Sequence, residues 1–140
     1  MYDKVKTINL LLPLIASLVT FTVTAGERPA GISRQIVNIS TLDNISGHSL
    51  TAVMVELDPG VIAPSHTHSG FVFVYVLQGT VRSQLNHGDA IEFSTDQSWT
   101  EPPGTTHSLT HNPSTTDKAK FLAVFVAKDG SNLTNFGVDH

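Results

Sequence analysis

From Ile32 onward the chain is a succession of short runs rich in Val, Ile, Phe and Thr, each cut off by Gly, Pro, Asn or Asp. No window between these breaks carries a helical stripe, so the pattern predicts an all-β domain. The expected strands cover 32–40, 50–57, 61–64, 71–78, 80–85, 90–93, 99–101, 105–110 and 119–127. Turn chemistry sits where the runs stop: Asp58, Pro59 and Gly60; Gly79; Asn86 to Asp89; and Pro102, Pro103 and Gly104, where two fixed φ angles precede a permissive residue. So many short strands in one small unit favour a jelly-roll barrel, because closure limits exposed strand edges. Residues 113–118 read as a surface loop, and the tail 129–140 as loosely ordered.

A chain of 140 residues is enough for one core. Its first part has another character. Lys4 and Lys6 precede an apolar run from Ile8 to Val23, and Val23 and Ala25 are the small residues a signal peptidase accepts. The expected organisation is therefore a cleaved signal peptide at 1–25 and a single barrel domain at 26–140, delivered to the periplasm or secreted. Pro13 and the threonines at 20, 22 and 24 make the run short and polar for a retained span, which needs about 20 apolar residues. No membrane span is expected after cleavage. The sequence has no cysteine, so disulfides say nothing about compartment. The formal net charge is −4, and cleavage makes it more negative by removing two lysines and one aspartate. Nucleic acid is excluded as a partner, since no basic stripe is left to neutralise phosphates.

The candidate chemistry lies in His66 and His68. Side chains two apart on a strand point the same way, so this pair can present two imidazoles to one point. An HxH alone is weak evidence, because such pairs also arise on surface loops. A third ligand has to come from elsewhere in the chain, and His107, just after the Pro-Pro-Gly bend, is the best candidate. His111 shares its strand face by strict alternation and stands as a reserve ligand, whereas His48, His87 and His140 read as surface residues.

The surroundings of these histidines carry a resemblance. From Gly60 the chain reads GVIAPSHTHSGFVFVYVLQG, and from Asp96 it reads DQSWTEPPGTTHSLTHNPS. These segments resemble the two motifs of the cupins, and the whole is similar to small single-domain bacterial cupins. The resemblance implies a double-stranded β-helix and one divalent metal ion (Fe, Mn, Zn, Ni or Cu) held by His66, His68 and His107.

The departures from the motif bear on chemistry. Where many cupins place a glutamate ligand, four residues after the second histidine, this chain has Val72. Glu101 could restore a carboxylate as a distant fourth ligand, as an orienting group or as a catalytic base, or it could be a solvated glutamate at the rim. The Gly that opens the second motif is replaced by Asp96, and the Asn that closes it is displaced to Asn112. Three neutral ligands resemble the iron centres of some cupin dioxygenases. The expected function is thus a metal-binding small cupin with a small-molecule ligand, either an Fe(II)-type oxygenase or a non-catalytic binding module.

On the run Phe71 to Gln78, Val72, Val74 and Val76 share parity with the histidines and should form an apolar wall. The opposite set, Phe71, Phe73, Tyr75 and Leu77, should pack a second sheet or the partner in a homodimer. Trp99 is expected in the core, and Arg82 on the surface.

Overall fold

The computed structural model describes residues 29–137, so the expected signal segment and His140 lie outside the described residues. The chain forms β1 (Ile32–Thr41), β2 (His48–Leu57), β3 (Ile62–Ala63), β4 (His66–Thr67), β5 (Phe71–Gln78), β6 (Thr80–Leu85), β7 (Ile91–Ser94), β8 (Ser98–Glu101), β9 (Thr106–His111), β10 (Ala119–Lys128) and β11 (Asn135–Phe136). One sheet runs β1-β2-β10-β5-β8 and the other β11-β4-β9-β6-β7, with β3 also paired to β9; every pairing is antiparallel. This is the expected all-β jelly roll.

Alternation along the strands decides what lies between the sheets. On β10 the inward positions are Ala119, Phe121, Ala123, Phe125 and Ala127; on β5 they are Val72, Val74 and Val76, all buried. Trp99 of β8 is also buried, with its ring centroid 4.7 Å from that of Phe93. The outer face of β5 differs from the expectation of packing within the chain. Phe71, Phe73 and Leu77 are exposed, because the two sheets use only the inner face of this strand.

Two departures from the cupin motif have local causes. Asp96 has φ +71°, a left-handed conformation for which glycine is the ordinary choice and which aspartate tolerates better than most residues. Its carboxylate also accepts a hydrogen bond from the Tyr75 hydroxyl at 2.9 Å. The second cause is a bulge in β9. Leu85 pairs with His107 but Gln84 with Leu109, so Ser108 is an extra residue, and its hydroxyl bonds the carbonyls of Gln84 (3.1 Å) and Asn86 (2.7 Å). One inserted residue moves the closing asparagine one place along, to Asn112. There it is fully buried, its amide nitrogen facing the carbonyls of Leu57 (3.1 Å), Asp58 (3.1 Å) and Asp117 (2.8 Å).

Over its described residues, 129–137, the tail corrects the reading of it as loose. Its β11 pairs with β4, placing Phe136 opposite His66. Ser69 Oγ also donates to the Asn132 carbonyl at 2.7 Å.

Between the histidine segment and β5 the chain passes so close to β10 that a Cβ on Gly70 would stand 2.2 Å from the Val126 carbonyl oxygen and 2.7 Å from Ala127 Cβ. Gly70→Ala should therefore lower stability by about 1–3 kcal/mol through overpacking against backbone. Gly137→Ala, which meets nothing within 4 Å among the described residues, should stay within about 0.5 kcal/mol. Urea unfolding midpoints of both variants against the parent check this.

Candidate metal centre

His66 and His107 are direct cross-strand partners in the β4–β9 ladder, which puts their rings side by side, with centroids 5.1 Å apart. His68 follows two residues after His66 on the same face, its ring centroid 4.8 Å from that of His66. The Gly104 amide donates to the His68 carbonyl at 3.3 Å, so the Pro-Pro-Gly bend holds the histidine segment in place. All three rings are buried, and one nitrogen from each lies within 4.8 Å of the others.

Each ring is also anchored at its remaining nitrogen, the arrangement that orients metal-ligating histidines. His66 Nδ1 donates to the Pro64 carbonyl at 2.7 Å, and His68 Nδ1 donates to the Leu133 carbonyl at 2.8 Å. A carbonyl can only accept, so both protons are on Nδ1 and both Nε2 lone pairs are free. His107 is turned the other way. Its Nε2 lies 2.8 Å from Ser83 Oγ and 3.1 Å from Thr110 Oγ1, and its Nδ1 donates to Glu101, so Nδ1 becomes a ligand atom once its proton has passed to Nε2.

The inward residues of β9 are His107 and Thr110, not His107 and His111. The Ser108 bulge reverses the alternation, so His111 turns away from the cluster and the reserve-ligand reading fails. Arg82 pairs with Glu92 at the surface.

Glu101 is not at a solvated rim. It is 1% exposed, and in the β5–β8 ladder it stands directly opposite Val72. The missing motif carboxylate thus has a counterpart one strand over, on the same inward face. Trp99 Nε1 donates to its Oε1 at 2.9 Å, and His107 Nδ1 lies 3.1 Å from that oxygen. Oε2 is 3.6 Å from His68 Nε2 and, among the described residues, accepts no hydrogen bond. Burial pushes this carboxyl up, but the hydrogen bond and charge of His107, with Trp99 and His68, outweigh it and hold it below the usual glutamate range. An ionised, buried oxygen without a partner is expensive, and a cation beside the imidazoles removes that cost.

The donor set therefore fits a divalent ion: three imidazoles whose nitrogens converge, with the Glu101 carboxylate alongside, against His68 and His107. That cavity, of about 440 Å³, is lined largely by apolar residues, including Val53, Val55, Leu57, Val72, Val74 and Phe125. The tail was missed as part of the site, yet Leu133 and Thr134 both line the cavity. The available signal was the pair Leu133 and Phe136, apolar residues three apart in a largely polar tail.

A two-sheet β barrel with a histidine triad and a carboxylate buried inside it defines a cupin-type site architecture. The cupin domain pattern matches residues 53–125, more than half of the sequence, and the chain belongs to the cupin family. No curated protein sequence matches it. Among solved structures, it is similar to an uncharacterized protein with a double-stranded β-helix domain from Klebsiella pneumoniae, at TM-score 0.62 and 19% identity over 87% of this chain and 99% of that one. It is also similar to KdgF from a Halomonas species, at TM-score 0.57 and 24% identity over 71% and 82% of the two chains. An oxalate decarboxylase from Bacillus subtilis gives TM-score 0.54 and 27% identity over 62% of this chain, which spans only 24% of that enzyme.

The electrostatics carry a consequence for the metal-free protein. Desolvation, the largest influence on His66, lowers its pKa from 6.5 to about 4, and desolvation also lowers that of His68. A depressed histidine pKa means that the unfolded chain takes up its proton first. Stability should hold above pH 6.5 and fall as pH drops from there towards about 4. Urea midpoints of chelator-treated protein across that range should show the decline, with a shallower slope in His66→Asn.

Proposed function

We propose that this protein is an exported, metal-dependent cupin enzyme that transforms a small organic molecule inside its barrel. The observation that carries the reading is the unpartnered Glu101 Oε2 facing the histidine cluster. His66 Nε2, His68 Nε2 and His107 Nδ1 would hold the ion, with Glu101 Oε2 as fourth ligand or as a base beside it. A divalent ion there supplies Lewis acidity and, as Fe(II), one-electron chemistry towards O₂.

The remaining functions belong to this chain's own groups. Trp99 fixes Oε1 and so leaves Oε2 as the oxygen able to take or return a substrate proton. Val72, Val74 and Phe125 keep water from the reacting end of the cavity. Ser83 and Thr110 can accept the Nε2 proton when His107 gives up Nδ1, because hydroxyls both donate and accept. Likeness to an oxalate decarboxylase supports an enzyme of small-molecule metabolism. A non-catalytic binding module is the second reading, favoured by the absence, among the described cavity residues, of any titratable group other than Glu101, the histidines and Arg34, whose guanidinium stays protonated.

Protein purified without a metal-binding tag should carry close to one equivalent of a first-row divalent metal by elemental analysis. His66→Ala should abolish this, and Glu101→Gln should weaken metal affinity by about 10–100-fold. After anaerobic loading with Fe(II), oxygen uptake over β-diketones and phenols should appear in the parent and vanish in His66→Ala. Ligand-dependent thermal stabilisation without turnover would instead select the binding module.

Export belongs to the same reading, and rests on the basic then apolar opening of the sequence. Intact-mass analysis of protein recovered outside the cytoplasm should place the new N-terminus at Gly26. An uncleaved Met1 terminus on the exported protein would refute it.

A further inference from the structure

The mouth of the cavity holds a cation that the metal centre does not use. On β1 the inward positions Ile32, Arg34 and Ile36 all line the cavity. Apart from the histidines, Arg34 and Glu101 are its titratable lining residues. Glu101 is already committed to Trp99 and the histidines.

Arg34 is not committed. Arg82, Lys118 and Lys120 each pair with a carboxylate, whereas Arg34 forms no ion pair with any described residue. Its guanidinium carbon instead lies 5.9 Å from the centroid of the Phe136 ring. That same ring is 5.9 Å from the His66 ring, so the guanidinium is within twice 5.9 Å of the metal-ligating imidazole. The side chain is open to solvent at the mouth, but partial desolvation already lowers its pKa, a sign that an anion there would be welcome.

We propose that Arg34 is the anion-recognition residue of the cavity, and that the ligand class is a small organic carboxylate with an apolar body. Its carboxylate meets the guanidinium fork at the mouth, and its body runs along Ile36, Val53, Val55 and Phe125 towards the histidines. One guanidinium matches one carboxylate in charge and geometry. A phosphate ester would call for further cations or a set of amide donors, and the rest of the described lining offers chiefly the Thr110 and Thr134 hydroxyls. Phe136 buttresses Arg34 from the side and holds it over the opening, which lowers the entropy lost on binding. This inference rests on the reading that the cavity takes a small molecule, but not on the presence of a metal.

The test measures binding of matched acid and amide probes to the full chain, as purified and after chelation. Calorimetry with phenylacetate against phenylacetamide, and hexanoate against hexanamide, should show the acid favoured by about tenfold or more in both states. Arg34→Gln should collapse that preference to near unity without altering metal content or melting temperature, and Arg34→Lys should keep part of it. No acid preference in the parent, or a preference that survives in Arg34→Gln, would overturn the proposal. Because the chelated arm needs no metal, loss of the acid preference there is separable from failure of the metal-centre reading, which elemental analysis decides.

Discussion

A glutamate carboxylate sealed between two apolar sheets is the constraint around which this molecule is arranged. Trp99 lies two residues away on the same strand face and satisfies one oxygen through its indole N–H. The other oxygen lies 3.6 Å from His68 Nε2 and accepts no hydrogen bond among the described residues. Leaving a buried ionised oxygen unpaired costs several kcal/mol, comparable to a large share of the net stability of a domain this size. The histidines, their carbonyl and hydroxyl anchors, and the Pro-Pro-Gly bend that fixes the His68 backbone are therefore parts of one electrostatic unit rather than independent decorations of a barrel.

The elements most legible in the sequence were those whose physics is local. β5 and β6 fall on the expected boundaries because β-branched and aromatic runs end at Gly79, whose positive φ the turn requires. The shared parity of Val72, Val74 and Val76 with the histidines holds because no bulge in β5 breaks the face turned to the cavity. The reading failed where a long-range register decides. Nothing near Ser108 announces that it is an extra residue, since a bulge is defined by its partner strand; with it went the true orientation of His111 and the reason for the displaced Asn112. For the aromatic outer face of β5 the sequence left open a second sheet or a homodimer partner, and among the described residues no second sheet covers it.

Glu101 lies between these cases. Its residue type and its place before the bend made it visible, but its depth did not follow from sequence. Only the antiparallel pairing of β5 with β8 reveals that it stands across from Val72. Adjacent strands are about 4.8 Å apart, so a glutamate moved to the opposing position can reach towards the same point with a different approach angle. Substitution by a valine at one position of a motif is then not evidence of a missing function. The inward face has to be read across the ladder as well as along the strand.

The tail joins the two ends of the cavity. Leu133 orients His68 through its carbonyl, while Phe136 contacts both His66 and Arg34. The tail segment from Leu133 to Phe136 thus anchors the His68 ring at Nδ1, leaving Nε2 free, and packs against Arg34. Its own burial is too small to order it strongly, so its stability derives from β4, the strand that carries His66. The tail that anchors the His68 ring and the strand that carries His66 thus form one wall of the cavity.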